Sequence, residues 1–148
     1  MAAKQEVTFT IEIIPGESIG PFRLGMTSTE LDEAIRSLGA DVPITLDDLG
    51  IVAWSRGDDG GWINTNDAGS CVRLGIRVCS NDHEILLKGQ RVNDIGNDEA
   101  IQLFESFAGK VSHSYGGFDA AKAGIDAVRW ENSDPWIDSI FVMEPKTV

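Results

Sequence analysis

Gly16-Glu17-Ser18-Ile19-Gly20 is the first stretch whose residue types could do chemistry. It matches G-x-S-x-G, the pattern in which a sharp strand-to-helix turn exposes a nucleophilic serine. That turn needs a helix directly behind it. Here Pro21 and Phe22 extend the connection and the first helix signal waits until Thr27, so the stretch reads as a Gly-rich link. His83 and His113 are the only histidines. A triad can be drawn from His113, Ser114 and any of many aspartates, but no local spacing fixes its geometry. Neither histidine has a Cys or His partner at zinc-ligand spacing, and both read as surface residues. Asp58-Asp59-Gly60-Gly61 with Asn64, Asn66 and Asp67, and Asn93-Asp94 with Asn97-Asp98-Glu99, offer hard oxygen ligands. Both lack the D-x-D-x-D-G spacing and closing Glu of a calcium loop, and acidic turn residues account for them. The expectation is no metal, no cofactor and no catalytic residue.

Cys71 and Cys79 bracket a run that alternates like a strand. Eight residues along a strand span about 26 Å, far beyond the roughly 7 Å between bridged Cα atoms. Reduced thiols are expected.

The tryptophans suit recognition. If Ile63 and Ile137 point to the core, the two-residue period puts Trp62 and Trp136, with Asn64 and Asp138, on the opposite face. Trp136 follows Asp134-Pro135, and Glu131 follows Trp130. Aromatic anchors amid carboxylates fit a basic protein partner, and the candidate binding set is Asp58, Asp59, Trp62, Asn64, Asp67, Glu131, Asp134, Trp136 and Asp138. The opposing reading is that Ile140 and Val142 share the parity of Trp136, which makes that face core.

These residues must be positioned by elements the pattern also specifies. Val7, Phe9, Ile11 and Ile13 alternate with polar residues as a half-buried strand that Pro15-Gly16 ends. Thr27 and Glu30 have capping-box spacing, Met26 and Leu31 sit as a hydrophobic staple, and Leu31, Ile35 and Leu38 form one stripe before Gly39. Short strands follow over 50–55, 61–65 and 70–79, with a further one over 84–87. A second helix runs from a cap at Asn97 through Ile101, Phe104 and Phe107 to Gly109. The stretch 111–123 has no clear assignment, and two last strands cover 125–130 and 136–143.

The chain has 148 residues, a size for one domain, and 24 acidic against 12 basic residues give a net charge of −12 spread along its length. That field repels nucleic-acid phosphates and anionic lipid and attracts basic partners. No stretch approaches the roughly 18–20 apolar residues of a membrane span. Met1 to Val7 has no apolar run of a secretory signal, so a cytoplasmic location is expected.

Three short matches recur in order. Asp32-Glu33-Ala34-Ile35 returns as Asp98-Glu99-Ala100-Ile101, Gly50-Ile51-Val52-Ala53-Trp54 resembles Gly124 to Trp130, and Trp62-Ile63-Asn64-Thr65 is matched by Trp136-Ile137-Asp138-Ser139. They predict an α+β fold in a single domain over 1–148. Two related helix-then-strands repeats, about 19–83 and 84–148, would form a mainly antiparallel sheet with helices on one face.

Ile19-Gly20-Pro21-Phe22-Arg23-Leu24-Gly25-Met26-Thr27, then Glu30-Leu31 and Leu38-Gly39, resembles the opening of two groups of proteins. One is the α+β repeat of β-lactamase inhibitor proteins and SmpA/OmlA-type envelope lipoproteins. The other is bacterial immunity proteins that neutralise polymorphic toxins. The inhibitor proteins are tandem copies of such a unit, and no lipid-attachment cysteine lies near the N-terminus here. The resemblance implies an immunity or inhibitor protein that occludes a basic toxin effector or enzyme. The alternatives are a small-molecule carrier or scaffold and, further off, a small hydrolase.

Overall fold

The computed structural model describes residues 10–38, 51–56, 59–79, 83–114, 116–129 and 135–146. The predicted cap at Gly39 and the first residues of the N-terminal strand lie outside them.

Alternation builds most of the fold. In β1 (Thr10–Ile14), Ile11 and Ile13 are buried while Thr10, Glu12 and Ile14 face outward. Pro15 and Gly16 turn the chain into β2 (Ser18–Ile19) and β3 (Phe22–Arg23). Helix α1 (Ser28–Ser37) starts at the predicted box: Glu30 N–H donates to Thr27 Oγ1 at 3.3 Å and Thr27 N–H donates to Glu30 Oε1 at 3.1 Å. Two otherwise orphaned amide groups are thereby satisfied, and the stripe of Leu31, Ala34 and Ile35 is turned inward.

Next come β4 (Ile51–Arg56), β5 (Asp59–Thr65) and β6 (Cys71–Arg77). The β5–β6 turn is held by Asn66, whose Oδ1 accepts from the amides of Ala68 and Ser70, both at 3.0 Å. β7 (Glu84–Leu87) and β8 (Gln90–Arg91) form a hairpin through Lys88 and Gly89, both with positive φ. Helix α2 (Asn97–Ala108) is followed by β9 (Ser112–Ser114), β10 (Gly117–Ala120), a 3-10 turn, β11 (Ile125–Val128) and β12 (Ser139–Met143).

The class is α+β, but the strands make two sheets rather than one. The larger has the order β4-β5-β6-β12-β11-β10-β9 and is antiparallel throughout. The smaller, β3-β2-β1-β7-β8, contains one parallel pair, in which Ile11 is level with Ile85 and Ile13 with Leu87. The inward faces of both sheets and of both helices join one core. α2 sets Phe104 edge-on to Phe118 of β10, and β3 sets Phe22 against Trp54 of β4. Trp54 in turn lies over its register partner Gly61, where a Cβ would meet the indole.

The sequence matches do not follow this topology. Among the described strands β4 lies at an edge, whereas β11, its counterpart by sequence, has neighbours on both sides. Trp62-Ile63 sits inside β5, while Trp136-Ile137 precedes β12 and makes only an isolated bridge to Gly96. Three local expectations also change. α2 is capped by Gly96, with no side-chain cap from Asn97. The strand over the cysteines ends at Arg77 and carries a bulge at its start. His83 is buried, not on the surface, while His113 is exposed.

Candidate functional site

Register assigns every strand residue of the large sheet to a face. Val52, Ile63, Leu74, Val142, Ile125 and Ala120 form one inward row, as do Trp54, Gly61, Ile76, Ile140, Ala127 and Phe118. The row between them points the other way: Ala53, Trp62, Gly75, Phe141, Asp126 and Asp119 stand side by side across six strands. The apolar members of this outer face belong to no part of the core.

Its centre is an aromatic pair. Trp62 and Phe141 stack with ring centroids 5.6 Å apart at 25°. Gly75, level with both, makes this possible, because a Cβ there would run into the Phe141 ring. The Arg73 guanidinium lies 4.1 Å from the same ring centroid, and its Nη2 donates to Asp126 Oδ2 at 3.2 Å. A register shift in β6 turns Val72 outward beside Arg73, leaving it 43% exposed. Cation–π contact and a half-exposed ion pair each contribute about 1 kcal/mol or less, so this cluster orients Arg73 more than it stabilises the fold.

Charge on this face is unevenly satisfied. Asp119 and Asp126 face each other across β10–β11, with one guanidinium bonded to Asp126 alone. Asp126 Oδ1 and Arg73 Nε are buried without hydrogen-bond partners among the described residues. Burial pushes the Asp126 carboxyl above its ordinary value, the charge and hydrogen bond of Arg73 pull it back, and Asp119 adds to the rise.

The candidate residues from sequence divide. Trp62 and Asn64 lie on the outer face, Asn64 level with Arg73. Trp136, 58% exposed, lines an open cleft of about 380 Å³ with Gly96, Asn97, Asp98, Glu99 and Arg129. Ile63 and Ile137 are both buried, as the parity argument required. Ile140 and Val142 are buried too, yet Trp136 escapes because β12 begins only at Ser139. Asp138 is level with Val78 at the far end of β6, and its Oδ2 accepts from Ser139 Oγ at 2.5 Å. Asp67 is exposed in the β5–β6 turn and Asp59 opens β5. Asp58, Glu131 and Asp134 lie outside the described residues. The two tryptophans therefore do not share one surface patch.

The chain matches no protein-family model, no curated protein and no solved structure.

Phe141, Arg73, Val72, Asp119 and Asp126 were missed from sequence. Alternation along 139–143 does set Phe141 opposite Ile140, but only register brings it beside Trp62. Elsewhere, Ser18 is buried in β2 and followed by β3, so no helix starts behind it as a nucleophile elbow requires. Both cysteines are free thiols. Burial pushes Cys71 up to about 11. Burial also raises Cys79, and the neighbouring carboxylates of Asp138 and Asp94 raise it further. Among the described residues no group of three His, Cys, Asp or Glu side chains is placed to hold a metal, and no helix is long and apolar enough to cross a membrane.

Proposed function

We propose that this protein is an acidic immunity or inhibitor protein that binds a basic toxin or enzyme and occludes it. The observation that carries the reading is the Trp62–Phe141 stack outside the core, on the outward face of the seven-stranded sheet. Aromatic surface placed there contributes little to folding and much to association, where buried Trp and Arg side chains dominate binding energy. A net charge of −12 favours a partner of opposite sign and speeds the encounter. The resemblance around Gly20–Thr27 points the same way.

We also infer that the chain is a duplicated unit, with correspondences other than those in the sequence. Strand order supports this: β4-β5-β6 and β10-β11-β12 run outward from the central β6–β12 pair, and β1 and β7 pair at the centre of the smaller sheet. In that scheme β11 corresponds to β5, and the α1–α2 match keeps its place.

The test is recovery of a complex. The tagged protein, produced in its native host, is expected to co-purify stoichiometrically with a protein of high isoelectric point. Association should slow steeply between low and physiological salt. A carrier would instead retain a small molecule through purification. Repeated recovery without a basic protein would remove the inhibitor reading.

A further inference from the structure

Among the described residues, two surfaces carry the tryptophans that suit a partner: the outer face of the large sheet and the cleft beside Trp136. We propose that the docking surface is the outer face, and that it takes a protein presenting an apolar anchor beside a lysine or arginine. The anchor covers the Trp62–Phe141 stack and the cation meets Asp119 and Asp126. This rests on the inhibitor reading and adds to it the surface and the partner chemistry.

Three observations favour the outer face. Its apolar side chains Trp62, Phe141, Met143 and Val128 stand outside the core, and each is only partly buried. Its size suits a protein: seven strands about 4.8 Å apart are about 30 Å across. With strands of three to seven residues, roughly 10–23 Å long, the projected area is on the order of 500 Å² before side-chain relief, approaching the about 800 Å² that each partner contributes to a standard interface. Its charge is also incomplete. Like charges directly opposite on neighbouring strands are unfavourable, and Asp119 faces Asp126 while Arg73 bonds only the latter. A second cation between the two carboxylates removes that repulsion, and a neutral or acidic partner does not.

The Trp136 cleft fits a cation less well. Its lining sets Arg129 and the positive end of α2 against Asp98 and Glu99, and it holds no pair of carboxylates facing each other across neighbouring strands as Asp119 and Asp126 do.

The probe is the peptide acetyl-Lys-Trp-Arg amide, titrated at millimolar concentration into the isotopically labelled full chain while amide and indole NMR signals are followed. The comparison peptide carries norleucine and citrulline in place of Lys and Arg. The expected result is saturable shifts at Trp62, Asp119, Asp126 and Phe141, weakened at least about five-fold in Asp119→Asn and with the neutral peptide, and unchanged in Trp136→Ala. Trp62→Phe, which keeps a ring on the stack, serves as the folding control. Shifts centred on Gly96 and Trp136, shifts spread over every acidic residue, equal response to the neutral peptide, or no saturable binding each overturn the proposal.

The two readings fail separately. If the native complex forms but keeps its affinity in Trp62→Ala and Asp119→Lys and loses it in Trp136→Ala, the inhibitor role stands and this surface falls. If no basic protein is recovered while the peptide still maps to the outer face, the surface stands and the role falls.

Discussion

Phe141 lies across Gly75, its register partner on β6, in the space a Cβ would occupy. One glycine thus lets an aromatic ring reach sideways over the sheet and stack on Trp62, two strands away. Gly75→Ala should force the ring up and break the stack, costing about 1–3 kcal/mol as overpacking does. Urea denaturation followed by tryptophan fluorescence reads both effects. An unchanged midpoint and emission spectrum would show that the ring does not depend on the glycine.

The capping box gives a cleaner local number. Thr27→Ala removes the acceptor for the Glu30 amide and should cost about 1 kcal/mol, while Thr27→Asp should retain most of it. Because Thr27 is exposed, no core packing changes with it. Equal stability of the two variants would refute the role of the cap.

Asp126 should make stability depend on pH in the direction opposite to most carboxylates. Its folded carboxyl titrates above the ordinary value of 3.8, so in that window the native state holds more protons than the unfolded state. Stability from this group is therefore present below 3.8 and declines as pH rises through the folded value. Asp126→Asn should flatten the curve over that window. The measurement is the denaturation midpoint of both proteins across a pH series, and a constant difference between them would contradict it.

The thiols should be sluggish. At about pH 8 both cysteines carry less thiolate than a free cysteine, and Cys71 is also shut away from solvent. A thiol reagent should label Cys79 slowly, leave Cys71 untouched until unfolding, and modify both rapidly in denaturant. Immediate labelling of two thiols in the native protein would show that β6 opens readily.

What the sequence disclosed and what it hid have separate physical causes. The start of α1 was legible to the residue because a capping box is a local device: Thr27, Glu30 and the stripe behind them act within two turns. β1, β7 and the Asn66 turn were legible for the same reason. Register is not local. Nothing within β6 says that Gly75 will stand between Trp62 and Phe141, or within β10 that Asp119 will face Asp126. Trp136 shows the opposite failure. Extrapolated alternation carried a strand through 136–138, where the backbone instead bonds to Ile95, Val128 and Val78 and resets the parity. The matched Trp-Ile pairs shared a pattern without sharing a place in the sheet. Buried His83 was missed because the residues that flank it, Asn81, Asp82 and Glu84, are polar.

The parallel pairing of β1 with β7 also sets an order of events during synthesis. On the side away from β2, Thr10 to Ile13 find their partners in Glu84 to Leu87, so the smaller sheet cannot close until residue 87 has been made. β6 is covered later still, because Arg73 to Arg77 pair with Ser139 to Met143. At the ribosome's usual 5–20 residues per second, the edge of β6 that β12 will cover stays open for roughly 3–14 seconds. During that interval the nascent chain presents an unpaired edge of a hydrophobic strand, the kind of surface that invites pairing with another chain.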